Sequence, residues 1–384
     1  MSASLAILMV HQGAELYGSD RSFASALEAL RERHPQAVID VVLPEQGPLV
    51  ELVRPYATRC LFNRRGILRK VELKARPWHT LSMLLAGWRA YRDMFASYDV
   101  CYVNTVVCVA AIAALRGRRG GAYVHVREIP SPGVRWVFKA LLRFSGATVM
   151  YNSGATAAAF GLPGAVIYNG VGAPAYMSEP GYTGARELRI AIIGRINPWK
   201  GQQFVLEALQ TVGRALPVQI RIIGDVFPGY EALLDALRAA AGACDQIVEI
   251  EGFTNHPEAH FAWADFVLVP SILPEPFGRV AIESFAAGRP VIASNAGGLQ
   301  EIVTDGATGL LFAPGDAEDL VRVLQRAVAL TPEQYGAMAE AARQTYERRF
   351  TVRSYMDAIA EHVSAPHMLQ PVQPQPSPHS TGQS

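Results

Sequence analysis

Short apolar runs alternate with helical stretches along almost the whole chain, and this rhythm limits the fold more than any other feature. In the first half the runs are Leu5–Val10, Val38–Leu43, Val100–Val103, Ala122–Val126 and Thr148–Tyr151. Between the first two, Phe23, Leu27 and Leu30 recur at helical spacing after a cap candidate at Ser19 or Asp20. Strand-then-helix alternation predicts right-handed βαβ units on a parallel sheet. The rhythm stops at Asn169–Glu187, a stretch rich in Gly and Pro, and restarts with Leu188–Ile193, Val218–Ile223, Ile247–Ile250, Phe266–Val269 and Val291–Ala293. The expected architecture is α/β, with two doubly wound Rossmann-like parallel-sheet domains facing a cleft. They span residues 1–170 and 188–350, with a linker at 171–187 and a terminal helix at 351–364. The Pro-, Gln- and Ser-rich end, 365–384, reads as a disordered tail. Ligands of such folds sit at the carboxyl ends of the strands, here between the domains.

A chain of 384 residues suits two domains. Thirty-five Lys and Arg against 34 Asp and Glu give a net charge of +1. No global field draws the chain to nucleic acid, so no nucleic-acid partner is expected and anion binding must be local. The four cysteines form no C-x-x-C pair, which argues against a disulfide framework or a zinc site. The start, MSASLAILMVHQG, lacks a basic leader and reads as a first strand rather than a signal peptide. The apolar stretch from Val100 to Leu115 is shorter than the roughly 20 residues of a bilayer span. The expectation is a cytoplasmic chain, at most peripheral on the inner face of the plasma membrane.

Two segments carry chemistry. In LRIAIIGRINPWKG, Arg195 and Lys200 fall between the carboxyl end of a strand and the next helix. Two cations beside a positive helix terminus suit a diphosphate. The plainer alternative is two charges solvating a loop. In PSILPEPFGRVAIESFAAGRPVIAS, a strand ends at Pro270, a loop carries Glu275, and a helix begins near Gly278–Val280. Gly278 lets a ligand approach the backbone, and the free N–H groups of Gly278, Arg279 and Val280 can bind an anion. Glu283, one turn into the helix, can accept from a vicinal diol such as a ribose. Glu275 can do the same for a sugar ring. The alternative is a capping carboxylate and an exposed helix Glu.

With Glu275–x7–Glu283 inside EPFGRVAIESFAAGRPVIAS, then GGLQEIVTDGATGLLF, and GRINPWKG upstream, residues 188–330 resemble the C-terminal domain of retaining GT-B glycosyltransferases of the family 4 group (glycosyl transferases group 1). HQGAELYGSDRSF looks like that family's first loop, and HVREIPSPG like its acceptor-side segment. The resemblance implies a UDP-, GDP- or ADP-sugar donor. Arg195 and Lys200 would hold its diphosphate, Glu283 the ribose and Glu275 the transferred sugar, with amides of Phe277 to Val280 on sugar and phosphate. Gly252, Phe253 and Thr254 would flank the base, and Gly13 and Ala14 would close over the donor. Either His125 or Arg127 would be the polar group beside the donor sugar; His125, at a strand end, can orient a hydroxyl or shuttle a proton. The implied transfer retains anomeric configuration by a front-face route, with the cations stabilising the leaving diphosphate. No D-x-D motif stands out, so no metal or other cofactor is expected.

The acceptor implied is a glycan or lipid-linked molecule of the cell surface. Arg64, Arg65, Arg69, Lys70, Lys74 and Arg76 sit among Ile67, Leu68, Val71, Leu73 and Trp78, a mixture that suits an anionic membrane as well as it suits a solvated helix face. Two other readings compete. A nucleotide-sugar epimerase of the same architecture needs acid and base groups around the sugar that EPFGRVAIE does not supply. A non-catalytic sugar-binding two-domain protein belongs to a class that is usually exported.

Overall fold

The computed structural model describes residues 4–363 except 70–72, 74, 119, 175–180, 214–215 and 228. Lys70, Lys74, part of the expected linker and the C-terminal tail therefore lie outside the described residues. The first domain holds strands β1 (Ala6–Val10), β2 (Val38–Leu43), β3 (Arg59–Phe62), β4 (Val100–Asn104), β5 (Gly121–Val126), β6 (Thr148–Tyr151) and β7 (Ala165–Val166). They form one parallel sheet in the order β3-β2-β1-β4-β5-β6-β7. All five residues of β4 are buried, as expected of a central parallel strand covered by helices on both faces. Helices Pro77–Phe95, Val109–Ala114 and Pro132–Ser145 follow β3, β4 and β5 and cover one face through Tyr91, Phe95, Ile112, Phe138 and Leu142.

The other face is covered by helix Gly18–Arg33 together with Val352–His362, the last helix among the described residues. Tyr355, Met356 and Ile359 join Phe23, Leu27 and Leu30 in one cluster. The segment that follows the second domain thus returns to complete the first. The backbone crosses between domains twice, and the crossings are tied together: Val171 N–H donates to Phe350 O (3.0 Å) and Val352 N–H to Val171 O (2.9 Å).

The second domain holds β8 (Leu188–Ile193), β9 (Val218–Ile223), β10 (Ile247–Glu251), β11 (Phe266–Val269), β12 (Val291–Ser294) and β13 (Gly309–Phe312), all parallel, in the order β10-β9-β8-β11-β12-β13. Both sheets reverse strand order beside their first strand, between β1 and β4 and between β8 and β11. Loops leaving neighbouring strands diverge there and open a crevice at the carboxyl ends. The two crevices face each other.

Candidate active site

A cleft of about 1560 Å³ lies between the domains. It gathers Gly13 and Ala14 from the loop after β1 with Arg195, Lys200, Phe253, Thr254, Glu275, Phe277, Gly278, Arg279, Val280 and Glu283 from the second domain. Gly252 does not line it, because the turn after β10 presents Phe253 and Thr254 instead.

Glu275 is almost wholly buried, and its Oε1 pairs with Lys200 Nζ and accepts from Ser271 Oγ at 2.6 Å. Lys200 stays partly exposed to the cleft, closing a single 3-10 turn, Pro198–Lys200, that Asn197 caps through its side chain. A buried carboxylate is tolerated only when paired and hydrogen-bonded, so this pair fixes Glu275 before any ligand arrives. The Glu275 loop is also pinned from behind. Its carbonyl accepts the Gly298 N–H (2.8 Å), and Gly297, at φ +63°, comes so close that a Cβ there would lie 2.2 Å from the same oxygen.

Helix Arg279–Ala286 starts at Gly278, which has φ +104° and faces Leu299 at a distance that leaves no room for a Cβ. Among the first-turn amides, Ala281 N–H donates back to Gly278 O (3.0 Å), while those of Arg279 and Val280 precede any intrahelical acceptor and lie at the cleft. Glu283 receives Arg279 Nε at 2.8 Å on the same face one turn away, and it remains partly exposed. Arg195 lies between two aromatic rings, its guanidinium carbon 3.9 Å from the centre of Tyr17 and 3.6 Å from that of Phe227. Tyr17 comes from the first domain, so Arg195 stacks across the cleft.

The description "glycosyl transferases group 1" fits residues 187–329. Over that segment, a little more than a third of its length, the chain is similar to the glycosyl transferases group 1 family. Among curated relatives, the D-inositol 3-phosphate glycosyltransferase of Arthrobacter sp. (strain FB24) is 32% identical over 199 residues, 47% of this chain and 45% of the relative. The lipopolysaccharide 1,2-N-acetylglucosaminetransferase of Salmonella typhimurium is 32% identical over 182 residues, 43% of this chain and 47% of the relative. The chain therefore spans about half the length of the curated relatives it matches. Over whole chains, Anabaena HepE in complex with UDP and glucose superposes with a TM-score of 0.72 at 25% identity, covering 92% of this chain and 98% of that one. The sucrose-phosphate synthase of Thermosynechococcus elongatus has the same fold, with a TM-score of 0.75 at 19% identity over 93% and 98% of the two chains. The two-domain arrangement is the GT-B fold.

Of the two group 1 candidates on the acceptor-side segment, it is Arg127 that lines the cleft, while His125 is fully buried beneath it. The expected proton-shuttling role of His125 does not fit its surroundings. Nδ1 lies 2.8 Å from Tyr102 OH and 3.3 Å from an Arg127 nitrogen, which can only donate, so Nδ1 is an acceptor. Nε2 carries the proton and has no hydrogen-bond partner. Burial first, and the Arg127 charge second, hold the imidazole well below its usual pKa, so it stays neutral.

Arg127 heads a buried polar chain that sequence reading did not find. Its Nε donates to Asn104 Oδ1 (2.5 Å), leaving Asn104 Nδ2 to donate to His11 Nδ1 (2.9 Å) and His11 Nε2–H to donate to Asp20 Oδ1 (2.6 Å). The other Asp20 oxygen accepts the Tyr17 N–H at 2.8 Å. Burial lowers the His11 pKa despite Asp20, so His11 acts as a neutral relay. The chain fixes the loop carrying Gly13 and Tyr17 to Arg127. HQGAELYGSD contained every member but Asn104 and Arg127, yet nothing in the spacing tied it to residues about 80 to 120 positions away.

Proposed function

We propose that the protein is a retaining glycosyltransferase that moves a sugar from a nucleoside diphosphate sugar to a glycan or lipid-linked acceptor in cell-surface polysaccharide synthesis. The observation that carries this reading is the single cleft shared by Lys200, Arg195, Glu275, Glu283 and the amides of the helix beginning at Arg279. Cations and amides suit the diphosphate, and one acidic side chain stands on either side of them for hydroxyl pairs. Glu283 takes the ribose and Glu275 the transferred sugar. Phe253 and Thr254 border the base.

Glu275 is already committed to Lys200 and Ser271, which favours a hydroxyl clamp over a free nucleophile. The reaction then runs on the front face: the bond from the anomeric carbon to the diphosphate breaks, the acceptor oxygen bonds to that carbon from the same side, and the acceptor proton passes to the departing phosphate. Lys200, Arg195 and the helix amides stabilise the charge that grows on the diphosphate. These side-chain cations do the neutralisation that a divalent ion would otherwise supply, so turnover is expected to persist in a chelator.

Because HepE is described with UDP and glucose, UDP-glucose is the first donor to test. In a thermal-shift panel of UDP-, GDP- and ADP-sugars, one class at 100 times its dissociation constant is expected to stabilise the protein by about 2.7 kcal/mol. The same donor should release nucleoside diphosphate when an acceptor is present. Binding without release would leave a sugar-binding protein, interconversion of sugars at the nucleotide an epimerase, and no stabilisation by any donor would refute the reading.

A membrane-borne acceptor is favoured by the outer face of the first domain. Helix Pro77–Phe95 exposes Trp78 (82%), Leu81 and Leu85, followed by Arg89 and Arg92. Helix Pro132–Ser145 exposes Val134, Trp136 (72%), Val137 and Phe144, with Arg143 beside them. The two helices follow β3 and β5, and both tryptophans lie in their N-terminal halves. Within the basic cluster noted in the sequence, Arg64 is paired with Glu45, which lowers its value for lipid binding. Trp78→Ser with Trp136→Ser is expected to weaken co-sedimentation with vesicles containing anionic lipid by about tenfold or more. Undiminished sedimentation would reject the membrane surface.

A further inference from the structure

The segment GGLQEIVTDGATGLLF contributes one acidic residue, Glu301, that faces the other domain rather than the cleft. Its Oε2 accepts the Gly154 N–H (2.8 Å) and the Tyr168 hydroxyl (2.9 Å), and its Oε1 accepts the Ala155 N–H (2.6 Å). Gly154 and Ala155 belong to the first domain and follow β6. The residue before them, Ser153, donates from Oγ to the carbonyl of Pro276 at 2.5 Å. Pro276 is the neighbour of Glu275. Three consecutive residues of the first domain therefore hold two points of the second, the Glu301 carboxylate and the Glu275 loop. Those two points are joined to each other, since the Glu275 carbonyl accepts the Gly298 N–H three residues before Glu301.

We propose that Glu301 and Ser153 are positioning residues that complete the anchoring of the Glu275 loop when the two domains dock. The role given to Glu275 rests on the glycosyl-transfer reading; the docking contact itself does not. Closing brings Ser153–Ala155 onto a composite surface, and its two halves meet their hydrogen-bond partners together. Opening about the paired crossings at Val171 and Val352 removes both donors to Pro276 O, Ser153 Oγ and Thr156 Oγ1 (3.1 Å), and leaves the loop tied only by its own domain. A donor sugar bound to the second domain alone thus meets Glu275 held by Lys200, Ser271 and Gly298 but lacking the first-domain anchor at Pro276, and the grip is completed on docking, when water is excluded.

Hydrogen exchange on the unliganded full chain tests the contact. Glu301→Ala is expected to speed exchange at 153–157 and at 275–278 together, by about tenfold or more in each. Glu301→Gln keeps one acceptor oxygen and should fall between the wild type and Glu301→Ala. Ser153→Ala leaves Thr156 Oγ1 on Pro276 O (3.1 Å), so Ser153→Ala combined with Thr156→Val is the variant that should raise exchange at 275–278 as well. If 153–157 loosens while 275–278 keeps wild-type exchange in all three variants, Glu301 is a local cap and the proposal fails. Kinetics supply the second reading: kcat for the donor should fall about 10- to 100-fold, while UDP affinity stays within about threefold. A matching loss of UDP affinity would overturn it. Should the wild-type protein turn over no nucleotide sugar, glycosyl transfer is refuted, and the exchange result still decides whether the two segments are coupled.

Discussion

Lys200→Ala is expected to lower donor turnover by about 100- to 1000-fold, the scale of removing one pre-aimed electrostatic group from a reacting centre. Two losses combine. The ammonium no longer faces the diphosphate as negative charge builds there. Glu275 also loses its ion pair and keeps only Ser271 Oγ, so a nearly buried carboxylate is left undercompensated and either swings toward water or binds a proton. Either outcome removes the sugar clamp at the same time. Lys200→Arg keeps the charge but spreads it over a planar fork that does not fit a point contact, and only partial recovery is expected. Nucleoside diphosphate release measured under saturating donor checks this, with the thermal-shift midpoint showing that the variant is folded. A folded Lys200→Ala protein that retains a fifth or more of wild-type turnover would show that Lys200 only solvates its loop.

The fold was legible because its signal is local. Central strands such as β1, β4 and β11 are buried on both faces and read as short apolar runs, whereas the exposed edge strands β3 and β7 and the short β13 gave no such run, and Gly- and Pro-rich sequence breaks the series where one sheet ends. The second-domain half of the site was legible for the same reason: Glu275, Gly278 and Glu283 share one loop and helix, so their spacing alone sets their relation. The first-domain half was not. Arg127 and His125 both follow the pattern of a strand end and, two positions apart, share a strand face; what separates them is that His125 lies within β5 and is buried, whereas Arg127 is the first residue past its end and reaches the cleft. Tyr17 reaches Arg195 across 178 positions of sequence, and Ser153 reaches Pro276 across 123. No periodicity encodes such contacts. The terminal helix at Val352–His362 shows the same limit, since its Tyr355–Met356–Ile359 stripe marks it as amphipathic without saying which domain it covers.

Arg127→Met is expected to destabilise the fold by about 2–4 kcal/mol and to abolish most turnover. The guanidinium holds three separate parts of the molecule. Nε meets Asn104 at the end of β4, a terminal nitrogen meets Asn169 Oδ1 just before the first crossing, and another meets Tyr355 OH (2.7 Å) on the helix that follows the second. Removing it strands the Asn104 and Asn169 side-chain oxygens, and each buried acceptor left without a donor costs about 1–3 kcal/mol. Tyr355 is spared, because its hydroxyl still donates to Ser22 O (3.0 Å). Taking a buried charge away returns part of the cost, since desolvating a cation is itself unfavourable. Orphaned acceptors outweigh that return here because methionine offers them no hydrogen. Arg127→Lys keeps one charge but cannot reach all three partners, so it should recover stability only in part and turnover very little. The relay to His11 and Asp20 would lose its donor at one end, and Tyr17 with it. Urea unfolding followed in parallel with nucleoside diphosphate release separates the two effects. Wild-type stability in Arg127→Met would mean that the network merely fills space. A stable but inactive variant would place Arg127 in the reaction rather than in the frame that supports it.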